Sequence, residues 1–451
     1  MLEERMMKKE QRIAQMLSQI EAMQPELTAL RRDFHRHPET GWLEMRTSAI
    51  LARRLDEMGY EVLTGRAVCR EEARLGVPGE DTLAAHAEQA LLQGAPAEYL
   101  TQDMREGFTG VVAILRCGEG PTLALRFDID ALGMCECEEM SHRPRREGFA
   151  SVNPGMMHAC GHDGHAAIGL GVAAVLMKNR DLLHGTVKLL FQPGEEGARG
   201  AGAMVAAGHL DDVDVLIGSH IAPTQSLDDG DVTAGTWGSL ATVKYDVTFK
   251  GMAAHAGGYP ERGKNALLAA ASAVLAIHAA ARHSGGQSRV NVGTLHAGTG
   301  RNVVPDRAVM QLEVRGETTQ INEYMEACAL NACRGAALMQ GCDLETTVMG
   351  RAEGQHSDPA LIERIGAVVR RDLPQLRLSS EQNARNWGSE DISLMMNRVQ
   401  QHGGLATYMR VMTPMAGAQH TVTFDFDEAV LGRSVAVFSA AALDILSGEK
   451  G

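Results

Sequence analysis

The run Met157-His158-Ala159-Cys160-Gly161-His162-Asp163-Gly164-His165 packs a thiol, three imidazoles and a carboxylate into nine residues. Donors of these types suit a zinc-type or manganese-type ion. Further along, Phe191-Gln192-Pro193-Gly194-Glu195-Glu196-Gly197 brings two adjacent glutamates, and Gly218-Ser219-His220 another imidazole. Two neighbouring carboxylates beside such a cluster suit hydrolysis, one binding metal while the other stays free to act as a base. Cys160 and His162 can converge only if the backbone turns between them, which Gly161 and Gly164 permit.

Alternating strand and helix patterns surround these residues. Val111–Cys117 and Thr122–Asp130 read as a hairpin turning at Gly118-Glu119-Gly120. Thr186–Gln192 and Val213–Ser219 are short apolar runs of the buried-strand type. Gly164–Lys178 is apolar almost all round and reads as a deeply packed helix, and 10–25 and 44–59 as helices nearer the start. Together they predict an α/β fold with a mainly parallel sheet. Asp128, Asp130, Glu195, Glu196 and His220 are expected to follow the carboxyl ends of strands, the edge at which open α/β sheets bind ligands. From 241 to 351 the pattern becomes strand-helix-strand-strand-helix-strand, the ferredoxin-like split order. That segment reads as a second domain inserted into a discontinuous first one, 1–240 and 352–451.

A length of 451 residues fits two domains. Aromatic residues make up only 4%, so packing must lean on aliphatic side chains and methionine. The formal charge of −14 argues against nucleic acid, which needs a basic surface. It leaves room for a small anionic substrate if a few local cations overcome the global field. No stretch offers the roughly 18 uninterrupted apolar residues of a membrane span, and Met1–Glu26 does not read as a signal peptide. A cytoplasmic location is therefore expected. The eight cysteines follow no disulfide framework and are expected to be reduced.

Several motifs occur in order with matched spacing: Arg32-Asp33-Phe34-His35-Arg36-His37-Pro38-Glu39, Met157–His165, Gln192–Gly197, Ala254-His255-Ala256-Gly257 and Phe424-Asp425-Phe426-Asp427-Glu428. Together they resemble the aminoacylase/carboxypeptidase amidohydrolase family, nearly end to end. Within it they resemble the branch with a cysteine in the metal motif, which includes hippurate and indole-acetyl-amino-acid hydrolases. The resemblance implies a metallopeptidase-like catalytic domain with an inserted ferredoxin-like α+β lid and dimerisation domain. It implies two divalent ions per subunit, manganese or zinc, held by Cys160, His162, Glu196, His220 and His420, with Glu195 as general base. His255 resembles a lid histidine that reaches a neighbouring subunit's site. Asn302 and Arg315 resemble a pair that holds a substrate carboxylate. His158 and His165 read as supporting residues, Asp128, Asp130 and Asp163 as candidates to orient ligand imidazoles, and Gly388–Asp391 as candidate pocket lining. Relatives carry His-His before the Phe-Asp-Phe-Asp run where this chain has Gln419-His420, so His420 keeps the ligand position. The implied substrate is a small anionic N-acyl amino acid or dipeptide, with p-aminobenzoyl-glutamate favoured because the 65–110 insertion, Ser141–Pro144, Gly148–Ser151 and Gly388–Asp391 resemble the members that act on it. The implied assembly is a homodimer or a heterodimer with a related subunit.

Overall fold

The structure is a computed structural model that describes residues 2–224, 230–385 and 388–447, with side chains from residue 11 onward. The apolar runs form the centre of a seven-stranded sheet. Its strands, numbered in chain order through the molecule, lie as β1 (Glu61–Thr64), β2 (Val111–Arg116), β4 (Thr186–Gln192), β3 (Thr122–Asp128), β5 (Val215–Pro223), β14 (Leu405–Thr413) and β6 (Val232–Thr233). The central β4, β3, β5 and β14 run parallel. Both of their faces are covered, so they read as continuous apolar runs rather than alternations. Helices Leu2–Arg36, Met45–Glu57, His162–Lys178, Pro359–Asp372 and Ala429–Ile445 cover one face. Helices Ala201–Ala206 and Ile392–Gln401 cover the other.

The hairpin expectation is corrected. β4 lies between β2 and β3, antiparallel to the first and parallel to the second. The 118–121 turn straddles the start of β4: Cys117 N–H donates to the Gly185 carbonyl and Thr186 N–H to that of Pro121. A strand as apolar as β4 is buried on both faces, so both its backbone edges need partners. A second correction concerns His220. It sits inside β5 rather than after it, because pairing with β14 carries the strand on to Pro223.

A second sheet, β11 (Asp343–Ala352), β8 (Ala241–Lys250), β10 (Arg307–Gly316) and β9 (Ser288–Ala297), is antiparallel throughout. It has the strand-helix-strand-strand-helix-strand chain order read from the sequence. Helices Ala266–His278 and Thr319–Gln340 pack on one face, against Val243, Val247, Phe249, Met310 and Val314. The alternation of β8 puts Thr242 and Lys244 on the opposite face. A small third sheet of β12 (Gln355–His356), β7 (Gly235–Ser239) and β13 (Asn383–Arg385) sits where the chain enters and leaves the second. Among the described residues, no helix is long and apolar enough to cross a membrane.

The first helix runs past the predicted 10–25 because its later turns are packed. Leu27, Leu30 and Phe34 are core, and Arg31 is fully buried. The Arg31 guanidinium meets Asp163 at 2.8 Å, Asp425 at 2.9 Å and Glu428 at 3.3 Å. His35 bridges Asp163 at 2.8 Å and Glu136 at 3.0 Å. One ion cluster thus ties the first helix, the start of the His162–Lys178 helix and the Phe424–Glu428 segment together. Burial alone would raise the Asp163 carboxyl, but Arg31 and His35 outweigh it and hold it well below the usual range. Asp163→Asn leaves Arg31 short of a buried partner, and an expected 3–5 kcal/mol of stability is lost, on the order found when one member of a buried pair is removed. The depressed folded-state pKa means that this contribution is complete above the ordinary aspartate range and drains away as the pH falls below about 4. Urea unfolding of both forms at neutral and acid pH measures it. A loss under about 1 kcal/mol at neutral pH would contradict the account.

Candidate metal centre and active site

The carboxyl ends of β3, β4 and β5 and the start of the His162–Lys178 helix meet at one point. The turn that brings Cys160 and His162 together is made by Gly161 alone, at φ +97°. Gly164 serves packing instead: it lies inside the helix, where a Cβ would fall 2.7 Å from Ile221 and 2.8 Å from Phe426.

The imidazoles are aimed by their outer nitrogens. His162 Nδ1 lies 3.0 Å from the Asp130 carbonyl and 3.3 Å from its carboxylate, so it carries the proton and Nε2 presents a lone pair. His220 Nδ1 lies 2.6 Å from the Ile221 carbonyl, which likewise frees Nε2, 3.4 Å from Cys160 Sγ. Cys160, His162 and His220 offer donor atoms within 4.8 Å of one another, and so do Cys160, Glu196 and His420. Cys160 belongs to both sets. His162 Nε2 and Glu196 Oε1 are buried without a hydrogen-bond partner among the described residues. His420 Nε2 is 3.3 Å from that Glu196 oxygen, at an angle that makes no hydrogen bond. The orphaned lone pairs of His162 and Glu196, beside the Cys160 thiol, fit divalent metal of the zinc or manganese type.

A third grouping, Asp128 with His162 and His165, is a poorer candidate. His165 is already used on both sides, by Asp128 at Nδ1 and by the Ile221 N–H at Nε2, and Asp128 also holds Arg126. Of the proposed orienting carboxylates, Asp130 therefore acts directly on a cluster imidazole, Asp128 props His165, and Asp163 belongs to the Arg31 network. His158 is buried beside His35.

Burial raises the Cys160 thiol far above its ordinary range, and the Glu196 charge adds to this. Only a bound cation would make it a thiolate ligand. Burial would also raise Glu196, but His420 and His162 outweigh it and keep it ionised. Glu195 is raised well above the carboxylate range by burial, then by Glu390 and Glu196. Among the described residues three non-glycine residues have positive φ, and two of them, Ala198 at +62° and His420 at +61°, lie at the cluster. Such backbone strain concentrates at functional sites. Arg199 braces the glutamate turn by donating to the Glu196 carbonyl at 2.9 Å.

A cavity of about 940 Å³ opens over the cluster. Cys160, Glu195, Glu196, His220 and His420 form its floor, and Arg315, Gly388, Ser389 and Glu390 stand in its wall. Sequence reasoning missed Lys244, Arg385, Tyr408 and Arg410, which also line it. They sit on β8, β13 and β14, outside the motifs. Glu390, raised to about 7 by burial, accepts from Tyr408. Gln419 Nε2 lies 3.2 Å from His220 Nδ1. The structure does not bring His255 and Asn302 to this cavity. They lie together at the far end of the second sheet, where Ala256 N–H donates to the Asn302 carbonyl and His255 pairs with Val303.

A model of peptidase family M20/M25/M40 matches residues 124–444. The chain belongs to this family. It is an M20 amide-bond hydrolase of a metal-dependent family. An indole-3-acetyl-aspartic acid hydrolase of Enterobacter agglomerans is 49% identical to it, over 94% of this chain and 97% of that protein. The A subunit of the p-aminobenzoyl-glutamate hydrolase of Escherichia coli is 47% identical over the same shares. Among solved structures, an aminobenzoyl-glutamate utilization protein of Klebsiella pneumoniae superposes with a TM-score of 0.80 at 42% identity, covering 94% of this chain and 97% of that one. A dinuclear metal-binding M20 peptidase of Bacillus subtilis shares the fold, with a TM-score of 0.64 at 24% identity, covering 94% and 99%.

Proposed function

We propose that this M20 hydrolase cleaves p-aminobenzoyl-glutamate to p-aminobenzoate and glutamate, with two divalent ions, manganese or zinc, held by Cys160, His162, Glu196, His220 and His420. The observation that carries the reading is the convergence of these donors, with unbonded His162 Nε2 and Glu196 Oε1, beneath a cavity that holds both Glu195 and Arg315. Cys160 is common to both donor sets and would be a ligand when the ions are bound. When bound, the ions supply Lewis-acid polarisation of the amide carbonyl and acidify water.

The chain's own residues do the rest. Glu195 accepts the proton of the attacking water and passes it to the leaving nitrogen, and its raised proton affinity suits that exchange. Arg315 takes the substrate's α-carboxylate with its planar fork. It is held ready by Glu313 at 3.1 Å and Ser389 at 3.2 Å. His255 and Asn302 act as a unit delivered by the 241–351 lid of a partner, with His255 stabilising the developing oxyanion. The partner is a second copy of this chain or a related one, and the naming of the Escherichia coli relative as one subunit of its hydrolase supports the latter. Among the described residues strand β9 is paired on one edge only. On the neighbouring helix Leu267 and Leu275 are 38% and 75% exposed, and together they suit such a partner. A cytoplasmic setting accords with eight unpaired cysteines.

Indole-3-acetyl-aspartate is the second reading, favoured by the 49% identical relative. Both candidates join an aromatic acyl group to a dicarboxylic amino acid, so they share one amine-side requirement. The test is p-aminobenzoate release by the purified chain with manganese or zinc, against an EDTA control. Metal-dependent release that EDTA abolishes is expected. Cleavage of indole-3-acetyl-aspartate alone would move the assignment to the second reading. Undiminished release in EDTA would remove metal from the mechanism.

A further inference from the structure

The cavity offers more than one cation to a ligand, since Lys244, Arg315, Arg385 and Arg410 line it beside Glu195, Glu196, Glu381 and Glu390. Lys244 on β8 and Arg315 on β10 stand on the sheet face opposite the packed helices, and both line the cavity. Register pairs Lys244 with Glu313 and Arg315 with Thr242. Lys244 and Arg315 are therefore diagonal neighbours, roughly 7–8 Å apart at Cα, within reach of each other's ligands through long side chains. Their surroundings differ. Arg315 shares its charge with Glu313, whose carboxylate it holds through Nε and a terminal nitrogen. Lys244, half-buried, has no hydrogen-bond or ion-pair partner among the described residues. Glu313, its cross-strand neighbour, is turned to Arg315 instead. Burial lowers the Lys244 ammonium from the ordinary lysine range, while Glu195 and Glu313 pull it back up. A partly desolvated ammonium with no partner is costly to the protein alone, and a ligand anion offsets that cost.

We propose that Lys244 is a specificity-determining residue that pairs with the side-chain carboxylate of a dicarboxylic amino acid, while Arg315 takes its α-carboxylate. The inference rests on the amide-hydrolase reading above, and it assigns the preference for glutamate or aspartate on the amine side to a named residue. Two cations on one rigid sheet face read two carboxylates at once. A conjugate whose side chain ends in an amide keeps the Arg315 contact and loses the other.

The test compares p-aminobenzoyl-glutamate with p-aminobenzoyl-glutamine, using the full chain loaded with manganese. Binding is measured by calorimetry and turnover as kcat/KM. The unsubstituted protein is expected to favour the glutamate conjugate by about 10- to 100-fold, the worth of one charge-assisted contact. Lys244→Met, which keeps the length of the alkyl stem, brings that ratio near 1, and Lys244→Arg retains most of it. Arg315→Ala weakens both conjugates alike and preserves the ratio. A ratio unchanged in Lys244→Met, or no preference in the unsubstituted protein, overturns the assignment, whatever the turnover. Preferential binding of the glutamate conjugate without hydrolysis leaves Lys244 assigned and overturns the p-aminobenzoyl-glutamate reaction. Equal hydrolysis of the two conjugates does the reverse. Binding of neither overturns both.

Discussion

Glu195→Gln keeps the metal content of the purified chain and lowers kcat on p-aminobenzoyl-glutamate by at least about a hundredfold. The expectation follows from the different placement of two adjacent side chains. Both glutamates offer oxygens within 4.8 Å of a His162 nitrogen, but only Glu196 also groups with Cys160 and faces His420. Glu195 is buried in the cavity floor, among carboxylates that raise its proton affinity. Glutamine fills the same volume and cannot take up the proton, so binding survives and proton transfer does not. Metal analysis by mass spectrometry together with steady-state kinetics separates the two. Retained metal with a near-normal kcat would remove Glu195 from the base role. Loss of metal would make it a ligand instead.

His255→Ala is expected to lower kcat by 10²–10³, the usual loss for one oxyanion donor. Its Nδ1 accepts from the Gly257 and Gly258 N–H groups at 3.1 and 3.0 Å, so the ring proton sits on Nε2, available to donate outward. Because the imidazole lies away from its own chain's cavity, the defect should be repaired in trans. Mixing His255→Ala with Glu195→Gln makes half the dimers mixed, each with one competent site of two, so about a quarter of full activity returns. Two inactive variants that stay inactive after mixing and subunit exchange would place His255 within its own subunit's chemistry, or outside the reaction.

The donor cluster is legible in the sequence because its members are concentrated in short motifs. Cys160 and His162 are separated by one glycine, and Glu195 and Glu196 are adjacent. Each motif also sits next to an apolar run that had to be a strand or a buried helix. His420 is legible only by its distance from the Phe424–Asp427 run, and a left-handed backbone at that residue turns out to aim it. The false hairpin comes from the opposite situation. Val111–Cys117 and Thr122–Asp130 are close in sequence and correctly oriented for pairing. Nothing local records that β4, which pairs Thr186 with Thr122 and Phe191 with Val111, is the strand that needs both edges covered.

Residue chemistry and local spacing by themselves determined the α/β class, the split order of the second sheet, and the cluster of thiol, imidazole and carboxylate side chains that could hold a metal. Local periodicity suffices for these, because it reports which face of an element is buried and which residues share a turn. Only the tertiary structure decided that Cys160 stands between two donor sets, that Asp130 rather than Asp163 aims His162, and that Lys244 and Arg315 share one cavity wall. It also decided that His255 and Asn302 lie away from that cavity. These are facts of sheet order and cross-strand register, set by which long-range edges and faces bury the most apolar surface, and no stretch of neighbouring residues encodes them alone.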